Sequence, residues 1–371
     1  MKRMSNTGNS LILILLSTCL LAVSCGKQPG AVLTAAAIQK ITPTALIQGQ
    51  TALPPQPLTE EMENTPVSKS GEPLRLTFPT PIQAPISAWR APLYPVPWAL
   101  GPHDHFYFTR PIAADRINWP LADYRYGYVW PGGIAIHTGV DIDAPKDTPI
   151  LAAGPGQVIW AGYGLYAGTN DPKDPYGQAV TIRHDFGYEG QQLYTIYAHM
   201  DKIIAINGQR VEAGTVLGLV GDTGNATGPH VHFEIRLIGN SYWTTRNPEL
   251  WMAPPQGCGV LVGTFRNTNG SYLTQQDVKA VSKSTGQSWT VTTYGSTTVN
   301  SDEYYHENMV LGDLLAGDYT VTVDYLDHRY NYDTSVHPGA ITYITFRGNK
   351  GFGSTLPATP SPDQWMGNTN P

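Results

Sequence analysis

Residues 230–236 read His-Val-His-Phe-Glu-Ile-Arg, and the fold class turns on them. The run is apolar and β-branched at its centre, and Gly228-Pro229 before it ends a turn. On a strand, residues i and i+2 point to the same face. His230 and His232 therefore project together, with Glu234 next in line. Similar short runs flank it: Pro149–Ala153, Gln157–Trp160, Ala179–Arg183, Leu193–Tyr197 and Val216–Val220, each separated from the next by Gly-containing turns. Strands of four to eight residues at this spacing predict an all-β domain. No long segment with a 3.6-residue period competes.

Working outward, two phrases echo each other. Thr148–Gly154 is followed by Gly156-Gln-Val158, and Gly214–Gly221 is followed by Gly224. The echo predicts a sheet with duplicated halves and resembles the hybrid (barrel-sandwich) motif of biotinyl and lipoyl carrier domains. A carrier needs a lysine at an exposed hairpin tip, and none is placed that way. Near Pro254-Pro-Gln-Gly257 comes a boundary, after which Val260–Val262, Val278–Val281, Ser288–Thr292, Asp318–Asp324 and Ala340–Phe346 again read as strands. The phrase Leu315–Val323 resembles a strand of small transthyretin-like or immunoglobulin-like accessory domains, which implies a small β-sandwich over 258–348. Residues 349–371 are rich in Gly, Pro, Ser and Asn and read as a flexible tail.

Composition agrees with this reading. Charged residues are 14% of the 371, against about 25% in a typical domain. With 41% hydrophobic residues the chain can bury a core, which excludes a wholly disordered chain, and the low charge excludes a coiled coil. The net charge of −6 argues against a nucleic-acid partner, which needs a basic footprint.

The N-terminal region has a different character. Lys2 and Arg3 precede an uncharged apolar run, Leu11–Val23. It is too short for a hydrocarbon core that needs about 20 residues, but has the length and flanks of a signal peptide over 1–24. Ala22-Val-Ser-Cys25 resembles the bacterial lipobox, with Ala22 where Leu is usual. The resemblance implies lipidation of Cys25 and an exported lipoprotein anchored to a membrane of the cell envelope. Ordinary secretion would also cut before Cys25, because Ala22 and Ser24 satisfy the small-x-small rule. With Cys19 lost and Cys25 acylated, only Cys258 remains, so no internal disulfide is expected; in a linker without a nearby base it reads as a structural thiol. Residues 25–98 read as a Pro-rich disordered tether, with 13 of the 31 prolines between 27 and 98. The folded regions are then 99–253 and 258–348.

The histidines carry the chemistry. His137 and Asp141 stand four residues apart around Gly139; Tyr197-Ala-His199 and His230-Val-His232 each place two side chains at i and i+2. Imidazole and carboxylate suit zinc, and a catalytic zinc site has three protein ligands and one open position. Together, His137-x-x-x-Asp141, Tyr197-x-His199 and His230-x-His232 resemble the signatures of LytM/lysostaphin-type zinc metallopeptidases, over about residues 134–250. The resemblance implies a LytM-type β-sheet peptidase domain holding one Zn2+ per chain through His137, Asp141 and His232. It implies that His199 and His230 handle protons and stabilise the transition state, and that Tyr197 helps line the cleft. It also implies that the substrate is a peptide of bacterial peptidoglycan, in cross-links or stems. Some relatives have lost ligands and activate cell-wall amidases; this chain keeps every ligand position. A non-catalytic wall-binding protein or amidase activator is the alternative reading.

Other residues read as structural. The loop from Leu165 to Pro175, with Asp171, Lys173 and Asp174, is longer than is usual for the family; it either reshapes the cleft or is simply a solvated loop, and the solvated reading is preferred. His103-Asp-His105 lies upstream of the signatures and is expected to be no ligand pair. His184 reads as structural, and His306, His328 and His337 as solvated. Trp289 and the many Tyr of the C-terminal region are candidates for stacking on sugars, though strand aromatics more often form core pairs.

Overall fold

A computed structural model describes residues 100–358 except 102, 114–121, 133–134 and 296–298. The expected signal peptide, the lipidated Cys25, the tether and the end of the tail lie outside the described residues. Among the described residues every regular element is a strand or a three-residue 3-10 turn. None is a helix long and apolar enough to cross a membrane.

Nine strands belong to the N-terminal part: β1 (Val140–Asp143), β2 (Pro149–Leu151), β3 (Gly156–Gly162), β4 (Gln178–Tyr188), β5 (Gln191–Ile203), β6 (Arg210–Val211), β7 (Val216–Val220), β8 (His230–Leu237) and β9 (Thr245–Arg246). Nine more follow: β10 (Cys258–Arg266), β11 (Asp277–Ser282), β12 (Ser288–Thr292), β13 (Val299–Asn300), β14 (Met309–Leu315), β15 (Gly317–Tyr325), β16 (His328–Val336), β17 (Ile341–Arg347) and β18 (Phe352–Gly353). A ten-stranded sheet runs β13-β9-β8-β5-β4-β3-β6, with β1 on β8 and the β2–β7 pair joined to β5. Two four-stranded sheets, β14-β10-β17-β18 and β12-β11-β15-β16, face each other across a core containing Phe265, Trp289, Tyr319 and Phe346.

Alternation in β8 does what its sequence requires. Val231, Phe233, Ile235 and Leu237 are fully buried in the main core, each contributing about 1.5–3 kcal/mol of transfer free energy, while the histidines and Glu234 take the opposite face. That core is not confined to the first nine strands. It includes Phe106 and Phe108 from before β1, Trp251, and Val260, Val262 and Tyr343 from β10 and β17. The two-residue β13 also extends the large sheet, pairing Val299 with Thr245 and Asn300 with Arg246 in parallel.

Two expectations change. The tail does not begin at 349: Phe352 packs on Phe265, Phe346 and Tyr332, and β18 pairs with β17. Trp289 is 2% exposed and packs near Tyr319, so it is core and offers no stacking surface.

Candidate metal centre

The site is built where β1 and β5 flank β8. Antiparallel pairing sets Asp141 opposite His232, so both side chains rise from one face. The backbone enters β1 through Gly139, where a Cβ would lie 2.4 Å from the Phe233 carbonyl oxygen and 2.9 Å from the His232 ring; no other residue fits there. His137 precedes this contact on a short antiparallel pair, in which Gly127 donates to the His137 carbonyl and His137 donates to the Tyr128 carbonyl, both at 2.8 Å.

Three ligand atoms converge. His137 Nε2 lies 3.0 Å from Asp141 Oδ1 and 3.0 Å from His232 Nδ1, and His232 Nδ1 lies 2.8 Å from Asp141 Oδ1. The outer partners set the tautomers. His137 Nδ1 lies 2.9 Å from the Arg125 carbonyl and must donate to it, which leaves Nε2 with a lone pair. His232 Nε2 lies 3.0 Å from Glu234 Oε1, which in the same way leaves Nδ1 as the acceptor. Two nitrogen lone pairs and a carboxylate oxygen thus face one point, a donor set that suits a divalent cation such as zinc.

These tautomers hold for neutral rings; without an ion the neighbouring carboxylates favour a second proton on His232, which a bound metal would displace. Burial alone would raise the Asp141 carboxyl, but His137 and His232 beside it hold it well below the usual carboxylate range. Burial alone would lower His232, but its hydrogen bonds to Asp141 and Glu234 raise it to about 9. Glu234 is fully buried and is kept ionised chiefly by Arg236 and His232, against its own desolvation.

His199 and His230 complete one wall. Their rings are 4.7 Å apart, and His230 Nε2 is 3.6 Å from Asp141 Oδ1. Each Nδ1 is fixed at 2.8 Å from a backbone carbonyl, Thr223 for His199 and Gly228 for His230, so each can present Nε2 as a proton acceptor. Burial first, then His232 and His230, lower His199 to about 3, so its ring is neutral at ordinary pH.

Tyr197 does not share this face. Its register partner is Phe233, on the core side of β8, whereas Ala198 pairs with His232. The β4–β5 ladder slips between Gln178↔Met200 and Val180↔Tyr197, so Ala198 and His199 together oppose Ala179. This is a β-bulge, and its second residue, His199, has φ +60°. The bulge turns His199 out to the metal centre and leaves Tyr197 fully buried, accepting from the Ala153 N–H at 2.8 Å and the Thr195 hydroxyl at 3.0 Å. The expected cleft role of Tyr197 is therefore corrected.

Several supporting residues were not singled out from sequence. Glu234 also accepts from Thr138 and Tyr176, each at 2.6 Å, and from Arg236 at 2.8 Å. Its position two residues after His232 was the available signal. Trp130, 42% exposed, tilts against His137 with ring centroids 5.4 Å apart. The loop before Tyr176 is not wholly solvated: Asp174 is buried and accepts from the backbone N–H groups of Tyr166, Ala167 and Tyr176.

The remaining histidines are structural or exposed. His184 lies between the Pro155 carbonyl and the Thr195 hydroxyl and is lowered by burial to about 4. His103 stacks on Tyr304, and His105 packs against Trp251 with Nε2 3.3 Å from Asp302, so this pair joins the N-terminal segment to the C-terminal part. His306, His328 and His337 are exposed, and Cys258 is buried as a free thiol.

Residues 135–244 match the model of "Peptidase family M23". The chain is 40% identical over 132 residues to the "DD-carboxypeptidase/endopeptidase Mpg" of Neisseria meningitidis, covering 35% of this chain and 26% of that protein. It is 34% identical over 159 residues to the "Uncharacterized lipoprotein YgeR" of Escherichia coli, covering 40% and 55%. It is 36% identical over 106 residues to the "Peptidoglycan DD-endopeptidase ShyA" of Vibrio cholerae, covering 29% and 21%. The chain therefore spans less than two thirds of the length of each of these relatives.

Proposed function

Taking as its premise that the chain carries a peptidase family M23 domain over residues 135–244, we propose that this protein is a zinc-dependent endopeptidase that hydrolyses peptide bonds of bacterial peptidoglycan. The observation that carries the reading is the convergence of His137 Nε2, Asp141 Oδ1 and His232 Nδ1, whose ligand atoms all lie within 4.8 Å of one another. Peptidoglycan is the named substrate of the Vibrio relative, which supports that substrate class here.

His137, Asp141 and His232 would hold the zinc, which would supply Lewis acidity toward the scissile carbonyl and toward water. The chain's own residues do the rest. His199 Nε2 takes a proton from the attacking water and returns it to the leaving amine, a general acid–base role that its fixed Nδ1–H permits. His230, held by the Gly228 carbonyl beside His199, stabilises the charge that develops on the carbonyl oxygen. Glu234 holds the His232 ring so that Nδ1 keeps facing the site.

The peptidase limits 99–253, a sandwich that begins at 258 and runs through β18, the duplicated halves of the peptidase sheet and the transthyretin- or immunoglobulin-like kinship of the sandwich belong to the same proposal. So does the lipid anchor at Cys25: the YgeR relative is named a lipoprotein, and a tether over 25–98 would let an anchored domain reach the wall.

Purified peptidoglycan digested with zinc-loaded protein should yield new amino termini, and His232→Ala should lose both bound zinc and cleavage. Wild-type protein that binds zinc yet releases no new amino termini across wall types would sink the enzymatic reading in favour of a non-catalytic wall-binding role.

A further inference from the structure

The His137 ligand is anchored to the C-terminal sandwich by a chain of buried contacts. The carbonyl that accepts from His137 Nδ1 belongs to Arg125. The Arg125 side chain, 1% exposed, forms an ion pair with the fully buried Glu249. Glu249 Oε2 in turn accepts the backbone N–H of Gly312, in β14, at 2.5 Å. A Cβ on Gly312 would lie 2.8 Å from Glu249 Oε2 and 3.1 Å from Glu249 Cβ, so a side chain there would push on Glu249. The geometry of Glu249 is itself set locally: Asn247 caps its 3-10 turn by accepting the Glu249 N–H.

The residues next to Arg125 are held from the same side. The Asn300 N–H, in β13, donates to the Tyr126 hydroxyl at 2.8 Å. Tyr294 packs edge-on against Tyr126, and a Cβ on Gly127 would lie 2.4 Å from the Tyr294 Cβ. Tyr126, Tyr294 and Val299 form one buried cluster, with Ile136, the neighbour of His137, packed on it.

We propose that Glu249 is a positioning residue for the metal centre: by joining Arg125 to the Gly312 N–H it fixes the carbonyl that orients His137, and it makes the C-terminal sandwich part of the site's support. This rests on His137 being a metal ligand. A buried, desolvated ion pair of this kind adds little net stability, but losing one partner leaves the other charge buried and uncompensated.

The test uses the full-length protein with two readouts that need no peptidase activity: zinc affinity by competition with a chromophoric chelator, and the visible spectrum of the Co2+-substituted protein. Glu249→Gln, folded by circular dichroism, is expected to bind zinc about tenfold or more weakly, as loss of outer-shell support does elsewhere, and to shift the cobalt bands. Gly312→Ala, which pushes on the same carboxylate from the sandwich, is expected to do likewise and carries the test if Glu249→Gln does not fold. Val323→Ala, in the separate sandwich core, should lower the unfolding temperature without changing zinc affinity. Unchanged affinity and spectrum in the folded Glu249 or Gly312 variant would overturn the proposal, as would an equal loss in Val323→Ala. Wild-type protein that binds zinc but cuts nothing would count against the proposed enzyme while these comparisons stand.

Discussion

Glu234 illustrates how much of the site lies behind its ligands. One oxygen accepts from His232, Thr138 and Tyr176, and the other from Arg236, all from buried groups. Glu234→Gln offers one acceptor oxygen in place of two and leaves Arg236 without its counter-charge. It is expected to weaken zinc binding about 10–100-fold, read by chelator competition. The convergence of His137, Asp141 and His232 was anticipated through the resemblance of three combined signatures, not through any one spacing, since His-x-His alone is a weak signal. Tyr197 was misread for a definite reason: the face of a side chain follows from strand alternation only while the strand is regular. Nothing in Tyr-Ala-His announces that His199 adopts φ +60° and changes sides.

At the scale of elements, close backbone approach matters as much as alternation. β1 lies on β8 because Gly139 lets the chain touch the Phe233 carbonyl. Gly139→Ala is expected to destabilise the fold by about 1–3 kcal/mol through overpacking, measured by urea unfolding, and to pull Asp141 out of register with His232. Strands with alternating β-branched residues, such as β7, β8 and β12, were readable within a residue or so. β14 was not, because Met309–Leu315 is buried on both faces up to Leu314 and is interrupted by Gly312 and Asp313. β16 was not, because it is an exposed edge strand of polar residues whose pattern resembles a loop.

At the scale of the molecule, the sequence suggested two modules joined at residues 254–257, whereas the main core draws on both sides of that point. A chain ending at residue 257 would expose the core surfaces that Val260, Val262, Tyr305 and Tyr343 cover. It is expected not to fold cooperatively, visible as loss of the near-ultraviolet circular dichroism that the full chain shows. The same junction carries a pH dependence. Glu307, fully buried, accepts from Tyr294 and from the Asp302 N–H, and burial together with the Asp302 charge pushes it up to about 8. A carboxyl raised in the folded state keeps a proton that the unfolded chain releases near 4.5. Its contribution is therefore fully present below about pH 4.5 and lost as pH rises through about 8. The unfolding free energy from urea titrations should fall between about pH 6 and pH 8, by up to about 1.4 kcal/mol per pH unit, and Glu307→Gln should flatten that slope.

The mixed core also constrains the order of events during folding. Phe108 bridges to Met252, and Asp104 accepts from the Tyr305 hydroxyl at 2.6 Å, while Tyr343, near the other end of the described chain, closes over the same core. Contacts of such sequence separation form slowly, because long loops must close before they are rewarded. The first nine strands are expected to complete their core only after the later strands are available. Maturation of the histidine site should therefore lag synthesis, because β17, among the last parts of the described chain to be made, closes the core that β8 packs on.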